Sequence, residues 1–253
     1  MPRVARINIS PIKSTSLHHP SEVFLSELGV EGDHRFLFLD EDGRRLTEGG
    51  KAPLLGIRAD LDTQQETLTL TFPDGSATHG TALPSGELQR ITLYDREVDV
   101  RLLNGGLADA ASRHAGRPLR LARVEPPEYA GGERRVSIMT DGSLDDLGRR
   151  GGLEFPPDPR RFRMLFELEG CAPYEEDGWD GQALSLGEAL VRVGSSIPRC
   201  ALTTMHPDTG RKDFPTLDVL ATYRKTPDGL MFGAYGDVER PGRVAVGDTV
   251  ELA

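Results

Sequence analysis

The sequence predicts a mostly β protein of the α+β class, built as two barrel-like parts with a few short helices. Three observations predict it. Short segments of alternating or continuous apolar character recur along the chain, as strands do. Turn residues are plentiful, with 29 glycines and 18 prolines among 253 residues. Helical periodicity is confined to three short stretches.

Taken in order, residues 35–40 (RFLFLD) form a continuous apolar run of strand length, closed by Glu41-Asp42-Gly43. Residues 67–72 (TLTLTF) alternate strictly and stop at Pro73-Asp74-Gly75. Residues 106–114 (GLADAASRH) carry helix-forming content ahead of Gly116. The Pro/Gly-rich stretch 125–132 (EPPEYAGG) marks a boundary, giving an N-terminal domain over 1–125 and a second domain over 126–253. Residues 143–147 (SLDDL) read as a capping box with Asp replacing Glu, so Ser143 is expected to start a helix. Residues 189–193 (ALVRV) and 242–247 (GRVAVG) read as strands. Residues 215–224 (PTLDVLATYR) read as a helix with Leu217, Leu220 and Ala221 on one face.

Composition narrows the function. The formal net charge is −10, which argues against nucleic acid or an acidic membrane as partner. It also means that any arginine cluster is there for a specific anion. No apolar run approaches the length of a membrane span, and the first residues lack a signal-peptide pattern. The two cysteines, Cys171 and Cys200, are sparse and show no zinc or iron–sulfur spacing. Free thiols in a reducing, cytoplasmic setting are the expectation. A Gly-x-Ser-x-Gly elbow and a nucleotide-type glycine loop are both missing.

The chemistry concentrates in residues 198–210, PRCALTTMHPDTG. Cys200 directly follows Arg199, and a nearby guanidinium favours the thiolate, the species that binds metals or attacks. Thr203 and Thr204 could hold polar groups of a cofactor, and Asp208 closes the loop in a turn that could orient it. The other reading of the same residues is a buried, inert strand cysteine. Composition does not choose between the two.

Arg199-Cys200, Thr203-Thr204 and Pro207-Asp208-Thr209-Gly210 resemble the motif of MOSC-domain proteins, in the branch of the amidoxime-reducing components. The resemblance runs along the chain. Ser10-Pro11-Ile12-Lys13-Ser14, Gly32-Asp33-His34-Arg35-Phe36, Leu46-Thr47 and Pro53-Leu54-Leu55 are similar to the family's N-terminal elements. Asp158-Pro159-Arg160-Arg161-Phe162-Arg163, Glu176-Asp177-Gly178-Trp179, Phe232-Gly233 and residues 240–248 are similar to its later ones. The resemblance implies an N-terminal β-barrel domain packed against a β-barrel MOSC domain. It implies a pterin-based molybdenum cofactor with Cys200 as the metal ligand. Lys13, Ser14, Arg35 and Arg163 would contact its phosphate and pterin, along with Arg199, Thr203, Thr204 and Asp208. Arginine forks grip phosphate oxygens bidentately and a lysine adds a compact charge. The implied activity is reduction of N-oxygenated small molecules by oxygen-atom transfer. Electrons would come from a separate ferredoxin-like or flavoprotein donor. A non-catalytic cofactor carrier and a Cys200 persulfide carrier are the rival readings.

Two departures stand out. Met164-Leu165 replaces the family's Pro-Asn, and Arg134-Arg135 stands where an Asp-Thr-Ser cluster is expected. Of the remaining residues, Cys171 and Trp179 are expected to be structural and His18-His19 to lie exposed in a loop. Among Arg160, Arg161 and Arg163, Arg163 is expected to point inward.

Overall fold

The computed structural model describes residues 1–44, 46, 52–93, 96–125 and 135–253. Thr47, the boundary stretch 126–132 and Arg134 lie outside the described residues.

The fold is mostly β, as expected. An eight-stranded sheet is ordered Arg3–Ile7, Phe166–Glu169, Val136–Thr140, Gly229–Arg240, Ala189–Pro198, Ala183–Leu186 and Val250–Leu252, with Lys225–Thr226 paired beside Gly229–Arg240. An Arg3–Thr249 bridge, with Val4 N donating to Asp248 O and Val250 N to Pro2 O, each at 2.9 Å, brings the two ends of the sheet together into a nearly closed barrel. Alternate residues of these strands fill its core, including Val4, Ile7, Ile138, Phe166, Val191 and Val250. Burial of such side chains removes the apolar area that drives folding.

The remaining strands among the described residues form three smaller sheets. One joins Phe36–Leu39, Arg120–Glu125, Arg96–Leu103 and Leu88–Leu93 in that order. Another joins Arg58–Asp62, Thr67–Thr71 and Ala77–Thr81. Leu68 and Leu70 point into the core while the threonines between them do not, so the strict alternation at 67–72 is realised. All four residues of Phe36–Leu39 are buried, which is why that run is continuous rather than alternating. The third sheet pairs Glu22–Ser26 with Gly242–Ala245 and with Gly29–Val30. N-terminal residues 3–7 and 22–26 therefore share a core with the second half of the chain.

Among the described residues, three α-helices pack on this frame: Gly106–Ala115, Asp141–Arg150 and Thr216–Ala221. The first ends at Gly116 in the left-handed conformation, as its sequence suggests. The second begins two residues before the expected capping box, with Thr140 at the N-cap. Ser143 is not a cap: its hydroxyl is buried and donates 2.8 Å to the Glu176 carboxylate while accepting from Tyr174 N. A tertiary partner has taken the group that local capping would use. The third helix buries Thr216, Val219 and Leu220, whereas Ala221 is exposed and Leu217 only half-buried. The Thr216 hydroxyl donates 2.7 Å to Thr203 O, and this contact turns the helix away from the expected face.

Candidate functional site

Three loops meet where the two parts of the molecule join. The first is residues 10–16. Lys13 N donates to Phe36 O at 2.9 Å, and Phe36 N to Pro11 O at 3.0 Å, so the loop is stitched to the buried strand Phe36–Leu39. The hydroxyls of Ser10 and Thr15, both fully buried, each donate 2.7 Å to Ile12 O. That knot places Lys13 and Ser14 at the loop's tip, with Ser14 at a φ of 67°.

The second loop, residues 158–163, is a single 3-10 turn. Asp158 caps it by accepting from Arg160 N at 2.9 Å, and Pro159 sets its first residue. It ends on Arg163, at a φ of 55°. His34, buried at a φ of 48°, is a third left-handed residue in this region. Such backbone costs about 1–2 kcal/mol per non-glycine residue, and it recurs where a site needs its side chains aimed. His34 Nδ1 lies 2.8 Å from Asp33 Oδ1. Burial nonetheless holds its pKa below the ordinary histidine value; Lys13 and Arg163 push the same way against Asp33. Lys13 and Arg163, from the two loops, thus both bear on His34. Beside them, Arg35 is half-buried, and its Nε is buried without a hydrogen-bond partner. A buried donor in this state is unfavourable unless an acceptor arrives.

The third loop carries Cys200. Strand Ala189–Pro198 ends just before it, and a 3-10 turn over Ala201–Thr204 follows. Cys200 O accepts from both Thr203 N at 3.1 Å and the Thr203 hydroxyl at 2.9 Å. The Thr204 hydroxyl donates 2.7 Å to Ala201 O. These threonines therefore brace the turn itself. The thiol is exposed, so the reading of Cys200 as a buried strand cysteine does not hold.

Arginines tie the second loop to the third. Arg161, 4% exposed, donates to Thr203 O at 3.1 Å and forks onto Asp213 at 3.1 and 3.0 Å. It is Arg161, then, rather than Arg163, that is fully enclosed. The Arg199 guanidinium donates to Phe162 O and stacks over the Phe162 ring at 5.3 Å. It is thus committed to the neighbouring loop. Asp208 is exposed and receives both Arg160 donors, at 2.8 and 2.9 Å. From the N-terminal side, Ala52 N donates 3.0 Å to Gly210 O. A Cβ on Gly210 would fall 2.2 Å from Ala52 O, and its φ is 62°, so glycine is required for the two parts to close here.

Of the residues singled out in sequence, Lys13, Ser14, Arg35 and Arg163 lie on the first two loops and their adjoining strand. Arg199, Cys200, Thr203, Thr204 and Asp208 lie on the third. Sequence reasoning missed His34, Arg160 and Arg161. His34 stands inside the motif already noted, but nothing local reveals its left-handed backbone. The departure at 164–165 is buried: Met164 is 1% and Leu165 4% exposed. Met164 fills the space beside Gly233, where a Cβ would come within 2.3 Å of its Cε.

The other cysteine differs in kind. Cys171 is half-buried, and burial, reinforced by Glu175 and Asp141, pushes its thiol up to about 12. It stays protonated near neutral pH and is a poor ligand there. His18 was expected in the open, yet its side chain is 16% exposed, with Nε2 2.7 Å from Ala59 O. Trp179 is buried in the barrel core. No helix among the described residues is long and apolar enough to cross a membrane.

A nearly closed barrel joined to smaller sheets, with an exposed thiol on a turn braced by arginines of a neighbouring loop, defines the class of protein. Residues 111–251 match the MOSC domain and residues 1–103 the MOSC N-terminal beta barrel domain. The chain belongs to the MOSC family. It is 26% identical to human mitochondrial amidoxime-reducing component 1, with 98% of this chain and 82% of that protein aligned. It is 39% identical to human mitochondrial amidoxime reducing component 2 over 51% of this chain, which spans 38% of that protein. It is 25% identical to molybdenum cofactor sulfurase 2 of Culex quinquefasciatus, across 92% of this chain but only 34% of that protein.

Proposed function

We propose that the protein holds a pterin-based molybdenum cofactor, with the Cys200 thiolate as the protein's ligand to the metal, and works as a reductase of N-oxygenated small molecules. The observation that carries this reading is the exposed Cys200 thiol on a turn fixed from three sides, in a chain of the MOSC family. The names of its relatives, amidoxime-reducing components and a molybdenum cofactor sulfurase, support the association with that cofactor.

The residues fit such a group. Arg35 Nε is a buried donor in need of an acceptor, and an anionic oxygen supplies one. Lys13 and Arg163 add the positive charge that a phosphate requires in a chain of net charge −10. Thiolate sulfur suits a soft, electron-rich metal centre, whereas the protonated Cys171 does not. When bound, the cofactor would supply two-electron oxygen-atom-transfer chemistry. The chain's own residues bind and orient it. Lys13, Arg35 and Arg163 hold the anionic end, Cys200 holds the metal end, and the braced turn keeps the thiol aimed. Electrons come from a separate donor protein of the ferredoxin or flavoprotein type.

Molybdenum per chain tests the reading, measured for protein made in a cofactor-producing host. Wild type should carry close to one equivalent and Cys200→Ser almost none with the fold intact; equal loading overturns the ligand assignment. Arg35→Ala should release the cofactor about ten- to a hundredfold faster, the cost of one lost charged hydrogen bond. Arg35→Lys should fall between, since it keeps charge without the fork. Loaded protein with a chemical reductant should turn over an N-hydroxylated substrate. A protein that binds molybdenum without turnover is a carrier. Cyanide-releasable sulfur on metal-free protein marks the persulfide reading, which the sulfurase relative keeps in view.

A further inference from the structure

Two residues on different loops, Arg163 and Cys200, would have to hold opposite ends of one rigid cofactor. Both loops hang from strands of the same sheet, and side chains tie them to each other. Arg161 and Arg199 brace the near ends, at Thr203 O and Phe162 O. The far end of the Cys200 loop is held by Arg160. Its Nη1 and Nη2 donate to the two oxygens of Asp208 at 2.8 and 2.9 Å. Its Nε and Nη2 also donate to Asp158, at 3.1, 3.0 and 2.7 Å. One guanidinium thus spans two carboxylates, one at the start of the Arg163 loop and one eight positions after Cys200. Arg163 N in turn donates to Arg160 O at 3.1 Å, so the residue that grips Asp208 is also built into the turn that aims Arg163.

We propose that Arg160 is a positioning residue: by clasping Asp158 and Asp208 it sets the gap between Arg163 and Cys200, and so decides whether one cofactor can be held at both ends. The proposal rests on the cofactor reading above. It gives Asp208 a different task from direct contact with the cofactor. The carboxylate of Asp208 is the receiving half of the clasp, and the Asp208 backbone N–H donates to His206 Nδ1 at 3.1 Å. A bidentate fork is needed for this because it fixes direction as well as distance, which a lysine ammonium does not.

The test is a double-mutant cycle on cofactor retention, with Arg160→Ala, Asp208→Ala and the pair. Arg192→Ala is the control, since Arg192 forks onto Glu239 at 2.8 and 3.0 Å on the barrel surface, away from these loops. Each clasp variant should lose molybdenum about tenfold faster, and the double variant no faster than Arg160→Ala alone, because Asp208 acts through Arg160. Arg160→Lys should restore only part of the retention, and Arg192→Ala should match wild type. If Arg160→Ala retains the cofactor as Arg192→Ala does, the clasp positions nothing. Should Arg160→Ala fail to fold, Arg160→Lys and Asp208→Asn carry the same comparison. A second readout uses metal-free protein: the rate of maleimide alkylation at Cys200, located by mass. It should change at least threefold in Arg160→Ala and stay at the wild-type value in Arg192→Ala; an unchanged rate in both overturns the proposal. Failure of wild type to bind molybdenum sinks the cofactor reading instead, and the alkylation comparison then judges the clasp alone.

Discussion

Replacing Arg161 by alanine should be the most damaging single change in the loops around Cys200, although Arg161 reaches no ligand in the reading above. Its side chain is 2% exposed. It makes two charged hydrogen bonds to Asp213, one to Thr203 O and one to Asp158 O, and its Cζ lies 5.5 Å from the centre of the Phe214 ring. Hydrogen bonds to charged groups contribute about 1.5–3 kcal/mol each when buried, and breaking a buried ion pair costs about 3–5 kcal/mol. Two features bring the figure to the low end. Asp213 is 33% exposed, so water can take over part of its charge. Thr203 O keeps its bond from Thr216, so it is not orphaned. The loss should therefore be about 3 kcal/mol, or a melting point lower by about 6–12 °C for a chain of this size. Arg160→Ala is the comparison. Its partners Asp158 and Asp208 are 30% and 57% exposed, and pairs within reach of water contribute about 1 kcal/mol or less each, so about 2 kcal/mol at most for the two. Urea unfolding at low and high salt measures both. The Arg160 loss should shrink with salt and the Arg161 loss should persist, because buried pairs are poorly screened. If Arg161→Ala costs under 1 kcal/mol, or if its cost vanishes in high salt, the enclosed-brace argument is wrong.

Other expectations follow from the same geometry. In metal-free protein at pH 8, a thiol reagent should modify Cys200 quickly and Cys171 only after unfolding, so native protein should show one fast thiol; two would contradict the burial that holds Cys171 protonated. His34 bears on the pH dependence of stability. Its folded-state pKa is lowered below the ordinary 6.5 by burial, so the unfolded chain takes up the proton first as pH falls. Its contribution is thus intact above 6.5 and lost progressively below it, by at most about 1.4 kcal/mol per pH unit. The urea midpoint of wild type should fall relative to His34→Asn on acidification from pH 7 to 5, asparagine being tolerant of the left-handed backbone; parallel curves would count against it.

The parts of this molecule that were legible in sequence are those governed by local periodicity. Residues 67–72 advertise a strand because one face is buried, and Gly116 marks a helix end because its backbone must turn left-handed. The site was legible as a set of motifs, but the connections between them were not. Ser143 looks like a cap because a serine followed by an acid usually is one; here a glutamate 33 positions away claims its hydroxyl. Arg161 looks solvated because it sits in a run of arginines; Asp213 and Thr203 O, both far along the chain, draw it inside. Thr216 turns its helix toward a carbonyl that no helical wheel contains. In each case a long-range polar partner outweighed a local preference of a few tenths of a kcal/mol to about 1 kcal/mol.

The strand Arg3–Ile7 brings the ends of the barrel together, pairing with Phe166–Glu169 and meeting Thr249. During synthesis this strand emerges with Val4 and Ile7 uncovered and no mate. Its partners are made well over a hundred residues later, Phe166–Glu169 first and Thr249 after them. The barrel cannot be sealed until then, and contacts of such high sequence separation are slow to form. For that interval Val4 and Ile7 form an unpaired edge of the kind that recruits other chains. The ribosome-bound protein therefore has to keep this strand waiting until residues far along the chain can pair with it.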